Sequence, residues 1–380
     1  MRVHGQGAMS GSRVGRRASR MRHDRASKYD SMPKNAPSIQ QRAIVLVTDA
    51  WHPQVNGVVQ TWTYMQRELA AMGHDLHIID PSGSRSIAAP GEPDVLLSLE
   101  PHKHLARALG SMVPACLHIA TEGPLGWAAR AFARRRGWMF TTSFHTRFPE
   151  YFKARFGIPA KFTLALLRRF HRESRAVLVP NDDLRRELCR AGFLRTRLWS
   201  RGVDGELFRP GPRNCLALPR PILLYVGRVA PEKNLQAFLD LELDGSRVVI
   251  GDGPERERLQ ARYPNVVWLG RLPHGQLPAF YDAADVFVFP SRTDTFGLVM
   301  LEAMACGCPV AAFPVAGPMQ VVTPGVSGVL HEDLHAAALA ALQLDRKLVR
   351  QQAIKRSWRT IAQQLAAALV PTCLGGSQVA

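Results

Sequence analysis

Three stretches of this chain hold residue types whose spacing could do chemistry. In the first, Gly227-Arg228 is followed by Glu232-Lys233-Asn234, with the two cations five residues apart. Arginine offers a planar fork and lysine a point charge, and together they match a diphosphate. The glycine lets backbone approach such a ligand closely. Two solvated surface cations are the plain alternative, but glycine, both cations and the end of an apolar run coincide here. In the second, Asp294 precedes Phe296-Gly297-Leu298, which reads as a helix start, and Glu302 lies within that helix among Leu298, Leu301, Met304 and Ala305. Asp294 is placed to meet a ligand, whereas a carboxylate amid apolar neighbours needs a hydrogen-bond donor. A sugar hydroxyl or a nearby backbone group would each serve Glu302. In the third, Asn56-Gly57 ends a loop that opens a helix. The N–H groups of such a helix start suit a phosphate, and a tight strand-to-helix turn would look the same. The loop is not G-x-G-x-x-G, which counts against a dinucleotide-dependent dehydrogenase. His145 follows the apolar stretch 138–144, so it stands at the carboxyl edge of a sheet, as a ligand-facing or a structural imidazole.

These residues follow apolar runs bounded by turn residues, the mark of strands buried on both faces. Such runs occur at 43–49, 75–80, 94–99, 116–121, 138–144 and 176–180, with helical stretches at 57–72, 124–136, 162–174 and 182–191. The alternation predicts an α/β fold with a parallel, doubly wound sheet. Pro210, Gly211, Pro212, Pro219 and Pro221 then interrupt it. It restarts with strands at 222–226, 247–250, 266–269, 286–290 and 309–314. A chain of 380 residues accommodates two such domains. The division expected is an arm at 1–41, a first domain at 42–207, a second at 208–345, and a terminal segment at 346–380. That last segment carries one helix, with Trp358, that packs back across the hinge. Ligands bind at the carboxyl ends of strands in doubly wound sheets, so two facing domains would share one cleft.

Composition narrows the function further. With 46% hydrophobic and 21% charged residues the chain can bury a core. Six cysteines without a C-x-x-C pair argue against a zinc ribbon, a thioredoxin-type site or a disulfide scaffold, and suit a reducing cytosol. No run approaches the ~20 apolar residues of a membrane span, and no apolar stretch follows the basic N-terminus as in a secretory signal. The net charge is +18, of which the first 42 residues carry +8. That arm reads as a solvated tail or as a tether to an anionic surface. Between residues 126 and 175, 12 Arg/Lys face 2 Asp/Glu, with Arg147, Lys153 and Arg155 among Phe148, Tyr151, Phe152 and Phe156. Basic and aromatic residues together suit an anionic membrane. Nucleic acid would suit the same composition and is the less expected partner.

Taken together, these motifs resemble the retaining glycosyltransferases of family four, which have the GT-B architecture. The resemblance runs from about residue 43 to 369. It rests on Asn56-Gly57-Val, on Ser143-Phe-His145-Thr, on Gly202-Val-Asp204, on Gly227-Arg228 with Glu232-Lys233-Asn234, on Gly251-Asp-Gly253-Pro-Glu, on Val267-Trp-Leu-Gly270-Arg271, and on Asp294 with Glu302, which occupy the family's E-x7-E positions. One departure is Asp294, where the family usually has Glu. Its carboxylate is one methylene shorter, so its reach to a donor sugar is in question. The opening loop and the Ser-Phe-His-Thr segment look most like bacterial lipid-directed mannosyl- or glucosyltransferases and sulfolipid synthases.

The resemblance implies a role for each matching residue. Arg228 and Lys233 would neutralise a departing diphosphate, helped by the N–H groups after Gly297, between Phe296 and Leu298. Glu302 would hold ribose hydroxyls. Asp294 and His145 would grip the donor sugar. Gly57 would let backbone approach diphosphate and acceptor, with Asn56 beside it in the binding loop, and Gly227, Gly270 and Arg271 would line the nucleotide pocket. No cofactor or metal is expected, the nucleotide-diphosphate sugar being a co-substrate. GDP-mannose is the first expectation for it and UDP-glucose the second. A lipid-linked or glycan acceptor is expected, with the enzyme in the cytoplasm, peripheral at the inner membrane face. The rival readings are an epimerase or phosphorylase on the same fold, and a non-catalytic sugar-nucleotide-binding protein.

Overall fold

The computed structural model describes residues 43–54, 56–89, 92–145, 160–294 and 296–373. The basic arm 1–41 and the expected membrane-facing residues Arg147, Phe148, Tyr151, Phe152, Lys153, Arg155 and Phe156 lie outside them.

The first lobe begins with β1 (Ile44–Val47), four buried aliphatic residues with a layer on each face. There follow α1 (Gly57–Ala71), β2 (Leu76–Ile79), β3 (Ser86–Ala89), β4 (Glu92–Ser98), α2 (Pro101–Leu109), β5 (Cys116–Ile119), α3 (Pro124–Arg135), β6 (Thr141–Ser143), α4 (Ala160–His171), β7 (Val177–Val179), α5 (Asp182–Arg190) and β8 (Thr196–Leu198). The main sheet is parallel, in the order β2-β1-β5-β6-β7-β8. The apolar run 94–99, expected in this sheet, instead belongs to β4, which pairs antiparallel with β3 in a separate ribbon. Two residues separate β3 from β4, far fewer than a parallel crossover needs.

The second lobe runs β9 (Ile222–Val226), α6 (Gln236–Leu239), β10 (Ser246–Ile250), α7 (Arg256–Arg262), β11 (Val267–Gly270), α8 (Leu277–Ala283), β12 (Val286–Phe289), α9 (Leu298–Ala305), β13 (Val310–Ala312), α10 (Ala316–Val321), β14 (Gly328–Leu330) and α11 (Leu334–Ala341). Its sheet is also parallel, in the order β11-β10-β9-β12-β13-β14.

The single terminal helix expected after residue 345 is two, α12 (Arg346–Ile354) and α13 (Trp358–Ala368). Ser357 starts the second by accepting a hydrogen bond from the Thr360 N–H, a side-chain cap that competes with continuing the first. Val349 and Ala353 of α12 bury in the second lobe. Trp358, Ile361 and Leu365 of α13 bury in the first, each worth roughly 1.5–3 kcal/mol. There Trp358 stacks on Tyr64 with ring centroids 4.8 Å apart, and Trp199 Nε1 donates to the Ile361 carbonyl at 3.2 Å. The chain thus passes out of the first lobe after Trp199 and returns near Ser357. The Val203 N–H donates to the Arg356 carbonyl at 2.8 Å, so the two passages lie side by side.

In each sheet the strand order reverses once, between β1 and β5 and between β9 and β12. The loops leaving those strands diverge and open a crevice. The lobes meet at these loops. A β-carbon built on Gly57, at the start of α1, would lie 3.8 Å from Leu298 Cδ1, at the start of α9. Away from the hinge, Gln320 on α10 donates to Asp183 on α5 at 2.7 Å.

Candidate active site

The second-lobe crevice brings two of the sequence-singled groups into contact. Lys233, in the 3-10 turn Pro231–Lys233 after β9, donates from Nζ to Asp294 Oδ1 at 2.5 Å. Asp294 Oδ2 is buried and has no hydrogen-bond partner among the described residues. The two loops are tied by side-chain-to-carbonyl bonds as well. Asn234, in the left-handed region at φ +52°, donates from Nδ2 to the Pro290 carbonyl at 3.1 Å, and Thr293 Oγ1 donates to the Glu232 carbonyl at 3.0 Å. Arg228 lies 3.7 Å from Glu232, and the Tyr225 hydroxyl holds the Arg228 carbonyl at 2.8 Å. Lys233 and Asp294, read as separate groups in the sequence, form one ion pair.

Beside them, Gly297 takes φ +83° and begins α9 with no side-chain cap among the described residues. Its first-turn N–H groups therefore keep their positive potential for an anion. The corresponding start of α1 differs from expectation. Asn56 Oδ1 accepts from the Val58 and Val59 N–H groups, both at 3.0 Å, so those groups are already taken. Phe296 is buried in the second-lobe core and Leu298 touches the cores of both lobes. Gly270 accepts from the Gly251 N–H at 2.7 Å, and Arg271 sits exposed beyond it.

Glu302 finds its donors in side chains, neither in backbone nor in an open site. His274 Nε2 lies 2.9 Å from Oε1, and the Tyr281 hydroxyl donates to Oε2 at 3.1 Å. Burial pushes the Tyr281 hydroxyl well up, so it stays a donor. Burial alone would pull His274 down, but the Glu302 hydrogen bond and charge, with Asp204 further off, outweigh it and hold its pKa above the ordinary value. The stability this contributes is fully present below the unfolded pKa of about 6.5 and fades as pH rises through the raised folded value. The thermal stability of the native chain should exceed that of His274→Gln by more at pH 6 than at pH 8.5. A gap independent of pH would contradict the ion pair.

His145 stands in the first lobe. Its Nδ1 is 2.9 Å from Arg201, and its Nε2 is 2.8 Å from Ser143 Oγ and 3.3 Å from Trp62 Nε1. Among the described residues no contact joins it to Asp294, and the two groups expected to grip one sugar stand in different lobes. Sequence reasoning missed a buried polar set in the same lobe. Asp49 caps α3 by accepting from the Leu125 and Gly126 N–H groups and from Thr121 Oγ1. Burial raises its pKa, and these donors oppose the rise. His171 Nε2 lies 3.1 Å from Glu122, both buried. The only signal for Asp49 was its place at the exit of β1.

Two family descriptions match this chain: "Glycosyltransferase Family 4" over residues 55–207 and "Glycosyl transferases group 1" over 220–345. A "GDP-mannose-dependent alpha-mannosyltransferase" of Mycobacterium tuberculosis is 31% identical over 358 residues, covering 85% of this chain and 94% of that one. This chain belongs to the family 4 glycosyltransferases. It is an enzyme that uses a nucleotide sugar, and an epimerase or a mere binding protein is not favoured. The sulfoquinovosyl transferase SQD2 of Arabidopsis thaliana is 28% identical, over 82% of this chain and 67% of that one. Sucrose-phosphate synthase of Thermosynechococcus elongatus superposes at a TM-score of 0.70 with 22% identity, covering 86% of this chain and 98% of that one, and shows the shared GT-B fold.

Proposed function

We propose that this glycosyltransferase moves mannose from GDP-mannose, with retention, to a hydroxyl of a lipid-linked or glycan acceptor at an anionic membrane surface. The observation that supports the donor is the similarity, over most of the chain, to α-mannosyltransferases named for GDP-mannose in three organisms. In the reaction, the acceptor oxygen bonds to the sugar's anomeric carbon as the bond to the diphosphate breaks. The acceptor proton passes to a departing phosphate oxygen. Arg228, Lys233 and the open start of α9 stabilise the charge that develops there. Asp294 Oδ2 is free to accept from a sugar hydroxyl. A thermal-shift series with GDP, UDP and ADP tests the donor. GDP at 100 times its Kd should add about 2.7 kcal/mol by linkage, and stabilisation by UDP alone would overturn GDP-mannose.

The membrane reading rests on α4 and its surroundings. Phe162 and Leu166, one helical turn apart, are 61% and 53% exposed beside Lys161, Arg168 and Arg169. Among the described residues no helix is long and apolar enough to cross a membrane. The full chain should sediment with anionic vesicles at low salt, lose that binding as salt rises, and bind neutral vesicles weakly. Equal binding to both would contradict the electrostatic attachment.

A further inference from the structure

Arg201 is 5% exposed, yet no carboxylate pairs with it among the described residues. It is held by the Trp199 and Ser200 carbonyls at 2.9 and 3.0 Å and lies over the Trp199 ring, 4.7 Å from its centroid. Its remaining hydrogen bond goes to His145 Nδ1 at 2.9 Å. A guanidinium has no acceptor to offer, so Nδ1 must present its lone pair. A neutral imidazole has one N–H, and it is therefore on Nε2. Burial, with the Arg201 charge and His118 adding to it, holds His145 well below the ordinary range, so the ring stays neutral. His118 carries no charge beside it, since burial draws its pKa down to about 3. The groups around the ring are then Arg201 after β8, His118 on β5, Ser143 on β6, Trp62 on α1, and Trp199.

We propose that Arg201 is a positioning residue that locks His145 in the Nε2–H form, so that this half-buried residue recognises substrate through an oxygen lone pair. In this arrangement Ser143 Oγ accepts from Nε2–H. The Trp62 indole N–H also points at Nε2, at 3.3 Å, and competes for the ring's one lone pair. The shorter, charge-assisted contact of Arg201 with Nδ1 at 2.9 Å and the Ser143 oxygen 2.8 Å from Nε2 decide the competition, and the indole is left without an acceptor. A sugar oxygen entering beside Nε2 accepts from the indole N–H and shares the Nε2 proton with Ser143. In the opposite tautomer Nε2 would demand a hydroxyl proton instead, and Arg201 and Nδ1–H would collide as two donors. This inference rests on reading His145 as a substrate-contacting group.

The test is a long-range imidazole proton–nitrogen correlation spectrum of the full 15N-labelled chain from pH 6 to 8, with His145 assigned by its loss in His145→Gln. The expected spectrum shows one tautomer, protonated on Nε2 and flat across the range. A ring protonated on Nδ1, or one titrating near 6.5, would overturn the proposal. Arg201→Met should give mixed tautomers and lower kcat/KM by up to about 100-fold, and Arg201→Lys, which keeps one donor, should restore the single form. A single Nε2–H form that persists in Arg201→Met would also overturn it. If Arg201→Met does not fold, the wild-type spectrum still decides. Wild-type turnover in His145→Gln would refute the substrate contact while leaving the tautomer to be judged by the spectrum alone.

Discussion

Lys233→Ala is expected to lower kcat by about 100- to 1,000-fold, the usual loss when one preorganised donor to a developing anion is removed. The ammonium acts on charge that appears only as the diphosphate departs, so the effect should fall on kcat far more than on KM. The substitution also strips Asp294 of its partner, and Asp294 Oδ2 already has none among the described residues. The two effects separate in Lys233→Ala/Asp294→Asn, which removes the carboxylate charge and keeps an oxygen to accept from a sugar hydroxyl. If the lysine serves only to neutralise Asp294, the double variant recovers activity; if it stabilises the leaving group, it does not. Lys233→Arg keeps the charge and should retain more turnover than the alanine variant. Turnover of Lys233→Ala within twofold of the native enzyme would remove the clamp from the mechanism.

Gly251→Ala should destabilise the second lobe by about 3 kcal/mol. Gly251 sits at φ +144°, and a β-carbon there would lie 1.8 Å from the Gly227 carbonyl oxygen. That oxygen belongs to the backbone, so no side-chain rotation relieves the overlap. The exits of β9, β10 and β11 are stitched at this point, through the Gly227 N–H to the Ile250 carbonyl at 3.0 Å and the Gly251 N–H to the Gly270 carbonyl at 2.7 Å. Displacing one strand end should move the next, so nucleotide binding should weaken together with stability. A urea melt of the variant and a thermal shift with GDP measure the two. A native melt would show that the strand exits are looser than this geometry requires.

Much of the architecture was legible because burial on both faces writes long aliphatic runs, as in Ile44–Val47 and Ile222–Val226. Where strands are short or polar the signal fails. Thr196–Leu198 and Gly328–Leu330 complete the sheet edges with three residues each and were missed. The run 94–99 was apolar enough to read as a strand, but periodicity does not reveal which partner a strand chooses. The candidate site divides the same way. Glycines, cations and carboxylates at strand exits could be read from spacing, because the fold places every strand exit at one edge. Pairings across the fold could not. His274 lies 28 positions from Glu302, Lys233 lies 61 from Asp294, and Arg201 lies 56 from His145. Asn56 reads from the sequence as a ligand-facing residue, yet its side chain does the local work of starting a helix.

The two adjacent passages of the chain between the lobes, joined through Val203 and Arg356, have a mechanical consequence. Two neighbouring pins permit rotation about the line they define and resist sliding or twisting. The lobes can therefore swing like a door, with α12 fixed to one leaf and α13 to the other. The farthest excursion then falls on the side away from the pins, where the contact between Gln320 and Asp183 is a single hydrogen bond of about 1 kcal/mol. Thermal motion alone can part so weak a fastening.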